Sequence, residues 1–206
     1  MEIKNVKSFV RYGVDEKMTQ NKVMLGSVII SLIAAVMGFI GICRQIWVSP
    51  IIIFMGGITY VIWASGLSKN LTPNKRVKCT ALNTVAAALL FSLCCQVFVE
   101  MCSIQYGFLL TLSPLVLGAV SFLISFIKCQ MNLYIDKKNN PKYMNLASFA
   151  ALGVAASGLL LEDLPMFENL PAEITLAICF CLLANAFSMV GAPSLLKVYY
   201  IKKFHL

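Results

Sequence analysis

Charge is the scarcest ingredient of this chain: 13% of its 206 residues are acidic or basic, where a soluble domain carries about a quarter. A water-soluble protein of this size needs a polar shell that the sequence does not supply. Histidine is nearly missing. The one copy, His205, stands beside the last residue, which excludes histidine-based metal sites and the H-E-x-x-H protease motif. The glycine-rich loop that cradles nucleotide phosphates is absent, so no nucleotide is hydrolysed by that device. No C-x-x-C occurs among the eight cysteines. Neither a metal nor a cofactor is expected. No acidic side chain falls in the middle of an apolar run, which argues against a proton-driven antiporter, since intramembrane carboxylates are the usual proton relays.

What is abundant is apolar surface, 59% of residues with a mean hydropathy of +0.82. It is collected into uncharged runs at 23–43, 46–67, 79–99, 103–127, 144–161 and 174–196. About twenty apolar residues cross a hydrocarbon core near 30 Å thick. In lipid each segment must satisfy its own backbone, so each run is expected as a helix. The fold class is an all-α, polytopic bundle of about six transmembrane spans. The first run is too long for the apolar core of a signal peptide and opens a series of like segments.

Orientation follows from charge. The segments 1–22, 68–78, 128–143 and 197–206 hold all the Lys and Arg except Arg44, whereas the other connections hold Arg44, Glu100, Glu162, Asp163, Glu168 and Glu173. Lysine and arginine in short loops stay cytoplasmic, which places both termini and the loops 68–78 and 128–143 inside. The net charge of +8 is explained by that bias, and no nucleic-acid partner is expected. The domain plan is an interfacial segment 1–22, a membrane domain 23–196 and a basic tail 197–206. Within the first segment Ile3, Val6, Val10 and Val14 share one helical face, a pattern that suits a helix on an anionic inner leaflet. Cys43 and Cys102 fall near the outer ends of spans, where one bridge is sterically open. Cys79 and Cys129 fall at the reducing inner side as free thiols.

Small residues mark packing faces: Ser27, Ser31, Ala35 and Gly38 in the first span, Gly56 and Gly57 in the second, and Ala147, Ala151 and Ala155 in the fifth. Pro114 and Pro193 are expected to kink their spans. The polar candidates for a substrate path, or for hydrogen bonds between helices, are Asn83, Gln96, Glu100 and Asn185. A path requires them to converge on one cavity; interhelical bonding does not.

Cys79 opens the third span directly after the basic stretch 75–78. Positive charge and a helix N-terminus both favour thiolate, the nucleophilic form, so Cys79 is the candidate catalytic residue. The stretch 51–67, the loop ending in Lys78 and Cys79, the uncharged span behind it and the later basic loop 136–141 together resemble the accessory gene regulator B family, six-span bacterial membrane cysteine peptidases that process a signalling-peptide precursor. That resemblance implies Cys79 as nucleophile and a histidine about seven residues ahead as its base. Thr72 occupies that position here, the loop 68–78 contains no histidine, and the family's glycine-rich motif is absent.

Three kinds of function remain. The leading one is a non-catalytic protein of a bacterial inner membrane that moves a small solute or ion, or serves as the membrane subunit of a larger complex. The second is a thiol peptidase using Cys79. The third is an assembly partner, acting as a homo-oligomer or through a membrane or soluble subunit docked on the loops 68–78 and 128–143. In every case the lipid bilayer is a partner.

Overall fold

The computed structural model describes residues 3–11, 18–103, 107–131 and 171–206. They form six helices and, among the described residues, no strand. These are α1 (Ile3–Arg11), α2 (Gln20–Cys43), α3 (Val48–Ser68), α4 (Pro73–Met101), α5 (Phe108–Gln130) and α6 (Ala172–Lys203). The last five are each long and apolar enough to cross a membrane. The run 144–161, expected as a further span, lies outside the described residues, as do Ala147, Ala151, Ala155 and residues 162–170 of the loop expected on the outer side.

The helices outrun the uncharged segments that announce them. Thr72 accepts a hydrogen bond from the Lys75 amide at 3.3 Å, and Pro73 takes the first helical position. A threonine N-cap followed by proline is a strong start signal, so α4 begins well before Cys79. Thr19 caps α2 in the same way through the Lys22 amide at 3.4 Å. Proline does not end α5 or α6: Pro114 and Pro193 both lie inside continuous helices.

Helix α4 is the centre of the bundle. Of its apolar window 56% is buried, against 17–28% for the other four. Its main partner is α6, which runs antiparallel to it. Phe98 stacks on Phe180 with centroids 5.9 Å apart, Phe91 meets Phe187 at 5.6 Å, and Asn74 bonds the Leu206 main-chain oxygen at the far end. A side chain at Gly191 would place its Cβ 3.1 Å from Val85 and 3.3 Å from Thr84, so glycine is what admits α4 to this distance. Helices α2 and α3 form an antiparallel hairpin. Gly41 lies against Pro50 and Val97, where a Cβ would sit at 2.9 and 3.0 Å, and Ser31 donates to the Gly57 carbonyl at 3.3 Å.

Charge sorts along this frame. Lys22, Lys69, Lys75, Arg76, Lys78, Lys128, Lys202 and Lys203 gather at one end, while Arg44, Glu100 and Glu173 stand at the other. Arg44 and Glu173 approach to 3.9 Å there. The outward faces between the two ends are apolar: Leu32, Met55, Ile62 and Val116 are each more than half exposed. Trp47 and Trp63, also exposed, stand toward opposite ends of α3, as interfacial aromatics do.

Helix α1 buries its apolar face on protein. Val6, Phe9 and Val10 pack with Val77, Cys129, Leu196 and Tyr200 at the basic end, and Phe9 meets Tyr200 edge-on with centroids 6.1 Å apart. Val14 lies outside the described residues.

Candidate functional site

The polar candidates go to three separate places. Tyr60 of α3 donates its hydroxyl to Asn83 of α4 at 3.1 Å. At the acidic end, Ser49 of α3 and Gln96 of α4 both donate to one oxygen of Glu100, each at 2.8 Å. Asn185 of α6 accepts from Ser113 of α5 at 3.1 Å. Two of these contacts join α3 to α4 and the third joins α5 to α6, and no cavity described among these residues is lined by more than one of the four candidates. Gln96 reaches the rim of a mainly apolar cavity of about 540 Å³ between α3, α4 and α5, and neither Asn83 nor Asn185 lines it.

The contact at Asn185 has a backbone origin. Proline has no N–H, so it leaves the carbonyl four residues earlier without its helical donor. Pro114 thereby frees Leu110, whose oxygen accepts instead from the Ser113 hydroxyl at 2.8 Å and the Cys181 thiol of α6 at 3.4 Å. Pro193 frees Met189 of α6, whose oxygen accepts from Ser121 of α5 at 2.7 Å. Each helix thus supplies a donor for the carbonyl that the other helix's proline releases. Ser188 adds a bond to the Pro114 carbonyl, and a Cβ on Gly118 would meet the Ser188 oxygen at 2.5 Å. In hydrocarbon an unmet carbonyl is expensive, and neighbouring helices are the usual remedy. The two prolines expected as kinks are therefore the reason for the α5–α6 polar seam. Ser121 and Ser188 were not singled out by sequence, although each lies close to a proline or to its freed carbonyl.

These contacts also fix direction. Residues 113, 114 and 121 of α5 meet 185, 188 and 189 of α6 in the same order, so the two helices run parallel. Beside them lies an apolar cleft of about 570 Å³, walled by α4, α5 and α6 and lined by Leu89, Pro114, Phe122 and Leu195 among others.

Cys79, the candidate nucleophile, is 0% exposed and belongs to the core with Val23, Tyr60 and Ala87. His205 lines a cavity at the basic end that Cys79 does not reach. Thr72, at the position of the family's histidine, is spent as the N-cap of α4. Among the described residues nothing brings a base to Cys79, which a thiol nucleophile requires. All eight cysteines are free, including Cys43 and Cys102. Burial, and then the neighbouring Glu173 carboxylate, push the Cys102 thiol up from its ordinary range, which disfavours the thiolate needed for disulfide exchange. Among the described residues no group of histidine, cysteine and carboxylate side chains is arranged to hold a metal ion.

No family profile, curated protein or solved structure matches the chain. Composition and fold give the class directly: five helices long and apolar enough to span a bilayer, as in an integral membrane protein of the multi-pass kind.

Proposed function

We propose that the chain is a non-catalytic, six-span protein of a bacterial inner membrane, with both ends cytoplasmic, that serves as the membrane subunit of a larger complex. The observation that carries this reading is the separation of these groups: Asn83 and Asn185 serve two different interhelical contacts, and Gln96 bonds Glu100 one turn along its own helix. A carrier for a polar solute needs such groups around one cavity; a subunit needs them only to hold its helices in register. The six-span count draws support from the parallel α5 and α6: α6 starts at the end of the bundle opposite to the one where α5 finishes, as a return crossing by the run 144–161 requires. The orientation draws support from the sorting of lysine and arginine to one end.

A peptidase of the accessory gene regulator B type is the weaker reading, because Cys79 is enclosed and Thr72 caps a helix where that family has its base. The test is native mass spectrometry of the full chain released from its own membrane in a mild detergent. A defined heteromeric or homomeric mass supports the subunit reading. A lone monomer, together with solute flux in reconstituted vesicles, would overturn it in favour of a carrier.

A further inference from the structure

Cys95 of α4 and Cys181 of α6 face each other inside the bundle. Antiparallel packing sets them opposite. Phe98 stacks on Phe180, and Gly191 stands against Thr84 and Val85; that register puts position 95 across from position 181. The two thiols are in hydrogen-bonding contact there. Cys95 is 0% exposed and Cys181 is 7% exposed. Cys94 belongs to the same core, but one residue of helix turns it about 100° away around α4.

A cysteine in a span packs as a small apolar residue, and two neighbours could be no more than that. The polar shell on one sulfur sets this pair apart. Cys181 Sγ donates to the Leu110 carbonyl at 3.4 Å and accepts from the Asn185 side-chain amide at 3.5 Å. The Ser113 hydroxyl lies 3.3 Å from the same sulfur. Those partners hold the sulfur in place beside Cys95, and an amide N–H stabilises it as its hydrogen leaves. Sulfurs already in contact need only small side-chain rotations to reach a disulfide bond of about 2.05 Å.

Burial decides which oxidant can reach them, because water-borne reagents stop at the bundle surface. The apolar cleft of about 570 Å³ comes close to the pair. Its lining includes Ser92, three residues from Cys95 on α4, and Pro114, next to Ser113. Clefts of about 300–1,000 Å³ hold small apolar ligands. The acceptor that suits this setting is a two-electron carrier dissolved in the bilayer.

We propose that Cys95 and Cys181 form a dithiol redox site, oxidised to a disulfide between α4 and α6 by a lipid-soluble quinone. Both S–H bonds break and one S–S bond forms. The two electrons and two protons released pass to the quinone, which becomes the quinol. The step happens once per chain and ties the two central helices together covalently. It does not rest on the subunit reading, since it needs only the observed packing of α4, α5 and α6.

The test uses the purified full chain in phospholipid vesicles, reduced first and then exposed to a short-tailed quinone analogue without oxygen. Free thiols are alkylated after denaturation, and the peptides are mapped by mass spectrometry. The expected product is a Cys95–Cys181 disulfide about 2 Da lighter than the dithiol, with about one quinol formed per disulfide. Cys94→Ser should lose its quinone-sensitive thiols within about threefold of the unaltered rate, and Cys181→Ser at least about tenfold more slowly. Thermal unfolding checks that both variants fold, and mapping the unaltered chain tests the pairing without either. Intact Cys95 and Cys181 thiols after exposure to the quinone would overturn the proposal. So would a disulfide joining any other pair of the eight cysteines, or an equal rate in Cys181→Ser.

Discussion

The proline seam between α5 and α6 makes a quantitative claim that a mutant cycle reaches. Ser121 donates to the Met189 oxygen at 2.7 Å because Pro193 cannot. Ser121→Ala removes an interhelical bond worth about 0.6 kcal/mol on average and about 1.7 at most in membrane helices. It also orphans a carbonyl in hydrocarbon, a penalty of about 1–3 kcal/mol. Together the expected loss is about 2 kcal/mol. In a Pro193→Ala background the restored N–H returns the helical bond to Met189, so the same serine should then contribute only about 0.5 kcal/mol. The cycle therefore predicts a coupling near 1.5 kcal/mol, well above the roughly 0.3–0.5 kcal/mol scatter of independent sites. The assay is equilibrium unfolding of the four proteins in mixed micelles, followed by helical circular dichroism. Equal serine losses in both backgrounds would refute the reasoning and reduce Ser121 to an ordinary surface hydroxyl.

Three further outcomes follow from the same geometry. Gly191→Leu should cost about 1–3 kcal/mol by pressing on Val85 and Thr84, whereas Gly26→Leu, with nothing within 4 Å of an added Cβ, should not destabilise; thermal unfolding of the two variants checks the contrast. Thr72→Ala should cost about 1 kcal/mol through the lost α4 cap, with Thr72→Ser restoring most of it; equal stability of all three proteins would remove the cap from the account. At neutral pH a water-soluble maleimide should modify exposed Cys43 at least on the order of tenfold faster than buried Cys79, and rapid labelling of Cys79 would revive the peptidase reading.

Five of the expected spans were legible in the sequence because the absence of charge is a direct record of the solvent. Their ends were less so. An uncharged run stops where hydrocarbon stops, while the helical ladder runs on into the headgroup layer until a cap or turn halts it. That is why α4 starts at Pro73 rather than at Cys79, and why α6 continues past Pro193 to Lys203. The polar pairs were half legible. Asn83, Gln96 and Asn185 stand out as costly in lipid, yet helical periodicity names a face and not the partner on it, so Tyr60, Ser49 and Ser113 emerge only in three dimensions. The docking of α1 escaped for a related reason: an apolar stripe suits a lipid surface and a protein surface equally, and Phe9, outside the expected face, is what commits it to Tyr200 and Lys197.

The seam also constrains how the bundle can move. A carrier alternates by breaking intramembrane contacts on one side and remaking them on the other, which is affordable when the groups find water or substrate in the gap. Between α5 and α6 the donors serve carbonyls that have no helical partner, so separating these helices would leave the Met189 oxygen unmet in hydrocarbon and the Leu110 oxygen with only the Ser113 hydroxyl of its own helix. Helices α4 and α6 are tied by stacked phenylalanines and by the close approach at Gly191. Those three helices therefore behave as one block. The softer boundary is the α2–α3 hairpin against α4, where Tyr60–Asn83 and Ser49–Glu100 are side-chain bonds that leave every backbone group paired when they open. Motion between the described helices is therefore least costly at that boundary, between a hairpin and a block, and the proposed subunit role requires no opening through the middle of the bundle.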